Sequence, residues 1–371
     1  MAFVLAEKSV EKELKNKIIT SNFLKKQTLA FLFLTFSLTF LLNFVMWLNY
    51  DIISESIELL RLATRVQMII PAFSAIILNL FVFKTKIYQR KSRILLYYFL
   101  VLSIIFVLIF VVWLVNPIDL TSIQLDSFEN LGSILALSFL NLAGLVLIIG
   151  WIALVFFWNL KSGSRKELKA DKLSFGRPRY YLLFTLFFVG YFLLSTVLNW
   201  VFGLGNPPNE PVELGALLLG LATIFLGPIL SFPQLFGEEY GWRIFLQDNL
   251  SIQFSQFRAF FLVGLVWSLW HIPMIILEGP YSGNLVLGII VYTIGAILMS
   301  IILGLAVFKS KSVWIAAYLH GIIGIQNFFT TYFYNPSDLI FSFGLGIYGL
   351  PILGLFSFFF LKSKALKERE K

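Results

Sequence analysis

Glu238 and Glu239 stand side by side, five and four residues before Arg243, in Gly237-Glu238-Glu239-Tyr240-Gly241-Trp242-Arg243, directly after a long apolar run. A charged side chain near the middle of a bilayer costs at least about 2.5–3.5 kcal/mol on insertion scales, so three of them in seven positions require partners. On a helix, Glu239 and Arg243 share a face and can pair. The guanidinium does not lose its proton, so it needs a carboxylate if buried. Glu238 points about 100° away around the helix. It is the carboxylate that local pairing leaves over, free to act as a general base toward water. A helix at the membrane interface, with solvated charges or a purely structural ion pair, would carry the same residues.

The chain holds two histidines, His271 and His320, each inside a later apolar run. Trp267 lies one helical turn before His271, and Pro273 follows it. Gly324 and Asn327 lie on the helical face of His320. Taken singly, either histidine suits a hydrogen-bonded packing role. Taken with the carboxylate pair, they make up what water activation needs: a carboxylate to remove the proton, and imidazoles to orient the water, bind a metal or stabilise an oxyanion.

The elements that must position these groups are membrane helices. Of 371 residues, 58% are hydrophobic and 13% charged, against about 25% charged in soluble domains. Lipid must cover such a chain, and its long continuous apolar runs predict an all-α, polytopic transmembrane bundle rather than a β-barrel. Ten spans are expected: 28–49, 66–83, 95–115, 132–159, 180–203, 213–235, 259–277, 286–308, 313–331 and 340–361. Gly227-Pro228 and Pro233 should kink or end the sixth. Basic residues cluster in 12–26, 84–93, 161–179, 309–311 and 362–371, and the alternate loops are acidic, neutral or mixed. The positive-inside rule then puts both termini in the cytoplasm. The charged segment Met1 to Lys26 lacks the pattern of a cleavable signal peptide.

The polar linker 160–179 divides the chain into an N-terminal accessory bundle, 1–177, and a unit carrying the motifs, 178–371. The absence of cysteine excludes disulfides, thiolate metal sites and cysteine nucleophiles. The net charge of +9 matches basic cytoplasmic loops, so the expected partner at this point is the lipid bilayer, not nucleic acid. A proton-relay transporter finds little support, because no internal repeat is evident.

Glu238-Glu239-x-x-x-Arg243, then Trp267-x-x-x-His271, then His320 resemble the three ordered motifs of the CPBP family, over about residues 213–330. That family comprises the type II CAAX prenyl endopeptidases and the Abi-like proteins of bacteriocin processing or immunity. The resemblance implies an integral, multi-pass protease of the cell membrane that cleaves membrane-associated or lipidated peptides. It implies that Glu238 activates water with His271, that Glu239 and Arg243 complete their motif, and that His320 stabilises the oxyanion. The family is often called metal-dependent. Glu238, His271 and His320 would supply a zinc site with an open position, yet the same residues suit a metal-free water activator. One position departs from the family, which commonly has Asn or Asp four residues after the last histidine. Here it is Gly324, and Asn327, one turn further on, is the expected substitute. The alternative reading is a non-catalytic immunity or peptide-binding relative.

Overall fold

The computed structural model describes the chain except residues 1, 85–87, 116–127, 209–210, 282 and 363–371. The loop and tail charges expected at 116–127 and 363–371 therefore lie outside the described residues. In lipid no water is available to the backbone, so apolar segments satisfy their N–H and C=O groups internally as helices. The described elements begin with α1 (Ala2–Leu48), a short α2 (Tyr50–Glu55) and α3 (Ile57–Ile77), which runs into a π-helical turn at Leu78–Val82. After these come α4 (Arg90–Val115), α5 (Phe128–Leu160), α6 (Ser162–Ala170), α7 (Pro178–Val201) and α8 (Leu214–Leu230). The motif region follows with α9 (Phe232–Glu239), a second π-helical turn (Tyr240–Leu246), α10 (Gln247–Gln253), α11 (Gln256–Glu278) and α12 (Leu285–Ser310). The chain ends in α13 (Val313–Ile323), α14 (Ile325–Tyr332) and α15 (Leu350–Leu361).

Seven of the described helices are long and apolar enough to cross a membrane, and eight if the bent pair Leu214–Leu230 and Phe232–Gln253 is one span. This is an integral, multi-pass membrane protein, but ten full spans are not present among the described residues. The bent pair turns by 60°, with Pro228 inside α8 and Pro233 in the first turn of α9. The expected span 313–331 breaks at Gly324 into helices of 11 and 8 residues. The expected span 340–361 is helical only over the 12 residues of α15, which reach about 18 Å against a hydrocarbon core of about 30 Å. The preceding stretch folds back on itself. Gly344 has φ +91°, a left-handed conformation open to glycine, and Ile347 N–H bonds Ile340 O at 2.8 Å.

A two-residue antiparallel clip pairs Gly205 with Pro336 and Asn206 with Asn335. It ties the α7–α8 connection to the segment after α14. The hydrophobic core is continuous across residue 177, running from Phe31 through Trp151 to Trp314 and Leu353. Phe236, two residues before Glu238, shows how the core holds the motif. Its ring lies 5.0 Å from Phe99, 5.2 Å from Trp151 and 5.1 Å from Trp314, centroid to centroid. The opposite side of α9 rests on α3. A Cβ at Gly237 would fall 2.7 Å from Ile69 Cα and Met68 O, and one at Gly241 would overlap Pro71. Small residues let membrane helices approach at backbone distance, and these two glycines seat the carboxylate pair directly on α3.

Candidate active site

All eight residues of α9 and all seven of the π-helical turn after it are buried. Wide turns of this kind recur at functional sites because they re-aim side chains within a helix. Here Arg243 still reaches back one turn, donating from Nε to Glu239 Oε2 at 2.8 Å. Both side chains are fully buried, at 0% exposure. Arg243 Nη1 donates to Ser300 Oγ of α12 at 2.6 Å, and that hydroxyl donates to Phe260 O of α11 at 2.8 Å. The guanidinium carbon also lies 5.4 Å from the Trp267 ring, within cation–π range.

The second oxygen of Glu239 meets His320 of α13, with Nδ1 and Oε1 2.8 Å apart. An ionised carboxylate only accepts, so Nδ1 carries the proton. Nε2 of the same ring is 3.7 Å from Glu238 Oε2. On α11, His271 Nδ1 lies 2.9 Å from Trp267 O. A carbonyl also only accepts, so this nitrogen is protonated and Nε2 keeps its lone pair in the neutral ring. That Nε2 is 3.5 Å from Glu238 Oε1. Glu238 therefore lies between the two imidazoles.

Trp267 joins the set. Its indole Nε1 donates to Glu238 Oε1 at 2.6 Å, and its ring meets both imidazoles edge-on, at 5.6 Å from His271 and 5.5 Å from His320. Glu238 Oε2 has no hydrogen-bond partner, although the residue is only 1% exposed. A buried charged acceptor left unpaired is costly, so this oxygen is where a water or a substrate proton fits. The histidines are partly open, with side chains 22% and 18% exposed, so the pair can be reached from outside.

Residues 213–325 match the family described as type II CAAX prenyl endopeptidase Rce1-like. That stretch, about 30% of the chain, is what resembles the family. Its similarity extends to "CAAX prenyl protease 2" of Methanococcus maripaludis, 31% identical over 94 residues, which are 24% of this chain and 35% of that relative. The chain thus aligns with about a third of the length of this curated relative. The matched stretch contains Glu238, Glu239, Arg243, Trp267, His271 and His320, and ends before Asn327.

Asn327 does not join the cluster. It is exposed on α14, beyond the break at Gly324, so the face it would share with His320 on a continuous helix does not exist. The zinc set Glu238, His271 and His320 has suitable donor types. Among the described residues, however, no group of three or more His, Asp or Glu lies at metal-holding spacing, and Glu238 Oε1 already accepts the indole N–H. Glu238 Oε2 and the two imidazole Nε2 atoms are the donors this arrangement leaves to an ion. Sequence reasoning passed over Ser300, which anchors Arg243. The available signal was a polar residue in an apolar span, one turn before Gly304. It also passed over Tyr292, whose ring lies 5.7 Å from His271.

Proposed function

We propose that the chain is an intramembrane endopeptidase of the CAAX-protease type, hydrolysing a peptide bond with a water activated by Glu238. The observation that carries this reading is the unpartnered, buried Oε2 of Glu238 between two imidazoles. Water bound there gives a proton to Oε2 as its oxygen attacks the carbonyl carbon of the scissile bond. The carbonyl electron pair moves to oxygen. Collapse of the tetrahedral intermediate then breaks the C–N bond, and Glu238 returns the proton to the departing amine. Trp267 fixes the carboxylate through Oε1, which leaves Oε2 as the reactive oxygen. His271, held as its Nδ1–H tautomer, offers Nε2 to the other proton of the water. With Nδ1–H engaged by Glu239, His320 can present an Nε2–H to the oxyanion as an imidazolium, for which Glu239 is the counter-ion. Zinc held by Glu238, His271 and His320 would supply Lewis-acid polarisation; the residues above account for each proton without it.

The similarity to a CAAX prenyl protease supports a prenylated or otherwise lipidated peptide as the substrate. Mapping new protein termini in membranes holding wild type or Glu238→Gln at equal levels tests the proposal. Termini that appear only with wild type support it and name substrates. Identical termini, with both proteins folded, would remove it. A non-catalytic binding protein is the second reading, favoured by Gly324 at the position where the family supplies an oxyanion donor. Gly324 has φ −57°, a backbone any residue adopts, and a Cβ there would meet Gly321 O at 3.1 Å, a contact that must give by a few tenths of an ångström. Gly324→Asn should therefore raise cleavage in a working but handicapped enzyme, and leave a pure binding protein silent.

A further inference from the structure

The basic runs at 161–179, 309–311 and 362–371 come from distant stretches of the sequence and take no part in the chemistry above. The fold brings their described ends together, where α7 begins and where α12 and α15 finish. Gly176, just before α7, is pressed onto the end of α12, so that a Cβ there would overlap Ser310 O. The rings of Phe184 and Phe360 lie 5.5 Å apart and join the start of α7 to the end of α15. Arg177, Arg179, Lys309, Lys311 and Lys362 therefore gather at one end of the bundle. Lys309 is half-buried and the other four are exposed.

Two properties set this patch apart from scattered surface charge. Three of its cations rest on an aromatic ring of the adjoining helix. Arg179 Cζ lies 4.8 Å from the centre of the Tyr180 ring, Lys311 Nζ 4.3 Å from that of Phe308, and Lys362 Nζ 4.5 Å from that of Phe358. Basic side chains laid over aromatics at helix ends keep their charge at the level where hydrocarbon meets headgroups. The second property is the lack of an answering acid. Segments 172–181, 305–315 and 355–362 contain no Asp or Glu. The nearest carboxylates are already engaged: Glu167 accepts from Lys91, Asp171 from the Gln89 N–H, and Asp248 from Lys172. Among the described residues no ion pair involves Arg177, Arg179, Lys309 or Lys362. Cations clustered without acids repel one another and attract an anion from outside. At the ends of membrane-length helices the anion at hand is a lipid phosphate, which suits the arginine fork.

We propose that the joined ends of α7, α12 and α15 are a docking surface for the headgroup of an anionic phospholipid, held chiefly by Arg179, Lys309 and Lys362. The proposal is independent of the peptidase reading. The surface nevertheless adjoins the site: Ser312, next to Lys311, caps α13 by accepting the Trp314 N–H at 3.2 Å, and α13 carries His320.

The test titrates the full chain, purified in detergent, with dioleoylphosphatidylglycerol or dioleoylphosphatidylcholine and reads bound lipid by native mass spectrometry. The anionic lipid should bind about tenfold or more tighter than the zwitterionic one. Arg179→Gln/Lys309→Gln/Lys362→Gln should bring that ratio to about twofold or less and leave phosphatidylcholine binding unchanged. Arg179→Lys alone keeps the charge and should keep most of the ratio. Lys25→Gln/Lys26→Gln/Arg93→Gln removes the same charge from exposed positions elsewhere and should leave the ratio as it is. If the triple patch variant does not fold, its three single variants are read instead, each lowering the ratio by about twofold or more. Equal binding of the two lipids, or a ratio that survives loss of the patch cations, would overturn the proposal. So would an equal fall in the variant altered elsewhere, since net charge alone would then govern binding. Displacement of phosphatidylglycerol by an equal concentration of inorganic phosphate would also overturn it, because the ligand would then be a soluble anion.

Discussion

Arg243→Met separates the structural from the chemical work of the motif. The guanidinium and the Glu239 carboxylate are both at 0% exposure and bonded at 2.8 Å. Removing one partner of such a pair leaves the other as an uncompensated buried charge, a loss of about 3–5 kcal/mol. Ser300 loses a donor at the same time, while methionine fills most of the vacated volume. The double variant Glu239→Gln/Arg243→Met removes both charges, and replacing a whole buried pair is often nearly neutral. The assay is reversible unfolding of the purified protein in mixed micelles, run as a double-mutant cycle. The expectation is a loss of about 3 kcal/mol or more for Arg243→Met, with much of it recovered in the double variant. His320 Nδ1 then faces a neutral amide, so recovered stability should not bring back peptidase activity. A loss below about 1 kcal/mol, the range of exposed ion pairs, would refute the buried-pair reasoning. So would strictly additive single variants.

Four further outcomes follow from the same geometry. Trp267→Phe keeps the ring against both histidines and deletes the 2.6 Å indole bond to Glu238; cleavage should fall by about 10–100-fold, the worth of a hydrogen bond to a charged group, and an unchanged rate would show that Oε1 needs no donor. Gly237→Ala forces a Cβ to 2.7 Å from Ile69 Cα, so the helices must separate, and thermal unfolding should register about 1–3 kcal/mol of destabilisation; unchanged stability would show that α3 yields freely. Cleavage should survive dialysis against EDTA, and loss restored by added zinc would show that the imidazoles regroup around an ion. Outside the membrane helices, the hydrogen bond from Lys91 holds the Glu167 carboxyl below its ordinary value of 4.5. The stability it contributes is present above that value and fades as pH falls through the lowered one, so Glu167→Gln should flatten the acid limb of a stability–pH curve slightly and leave neutral pH untouched.

The readable part of this chain was local or compositional. Apolar runs declared the membrane helices because lipid leaves the backbone no alternative. The spacing of Glu239 and Arg243 declared an ion pair because four residues close one helical turn. The scarcity of histidine marked His271 and His320. What stayed hidden depends on long-range contacts. Hydropathy cannot see that Gly324 breaks a run of sufficient length, nor that 340–349 folds back before α15. The indole bond from Trp267 to Glu238 spans 29 residues, and the Ser300 anchor for Arg243 spans 57. Asn327 was expected in the site by extending a helix that stops at Ile323. The 178–371 unit was read from a polar linker, a feature that carries no information about what covers the back of α9.

That covering has a consequence for how such a chain can change. Gly237 and Gly241 flank the carboxylates and are pressed onto Met68, Ile69 and Pro71, residues more than a hundred positions upstream. The unpartnered oxygen of Glu238 is thus levelled by a floor that lies outside the matched residues 213–325. Grafting the motif-bearing stretch onto a different N-terminal half would deliver Glu238, Glu239, His271 and His320 and lose the surface that sets the height of the carboxylates. A substitution at Ile69 or Pro71 would tilt the carboxylates without touching them. The side chains that α3 can carry at this contact are therefore limited by two glycines it never meets in the linear sequence.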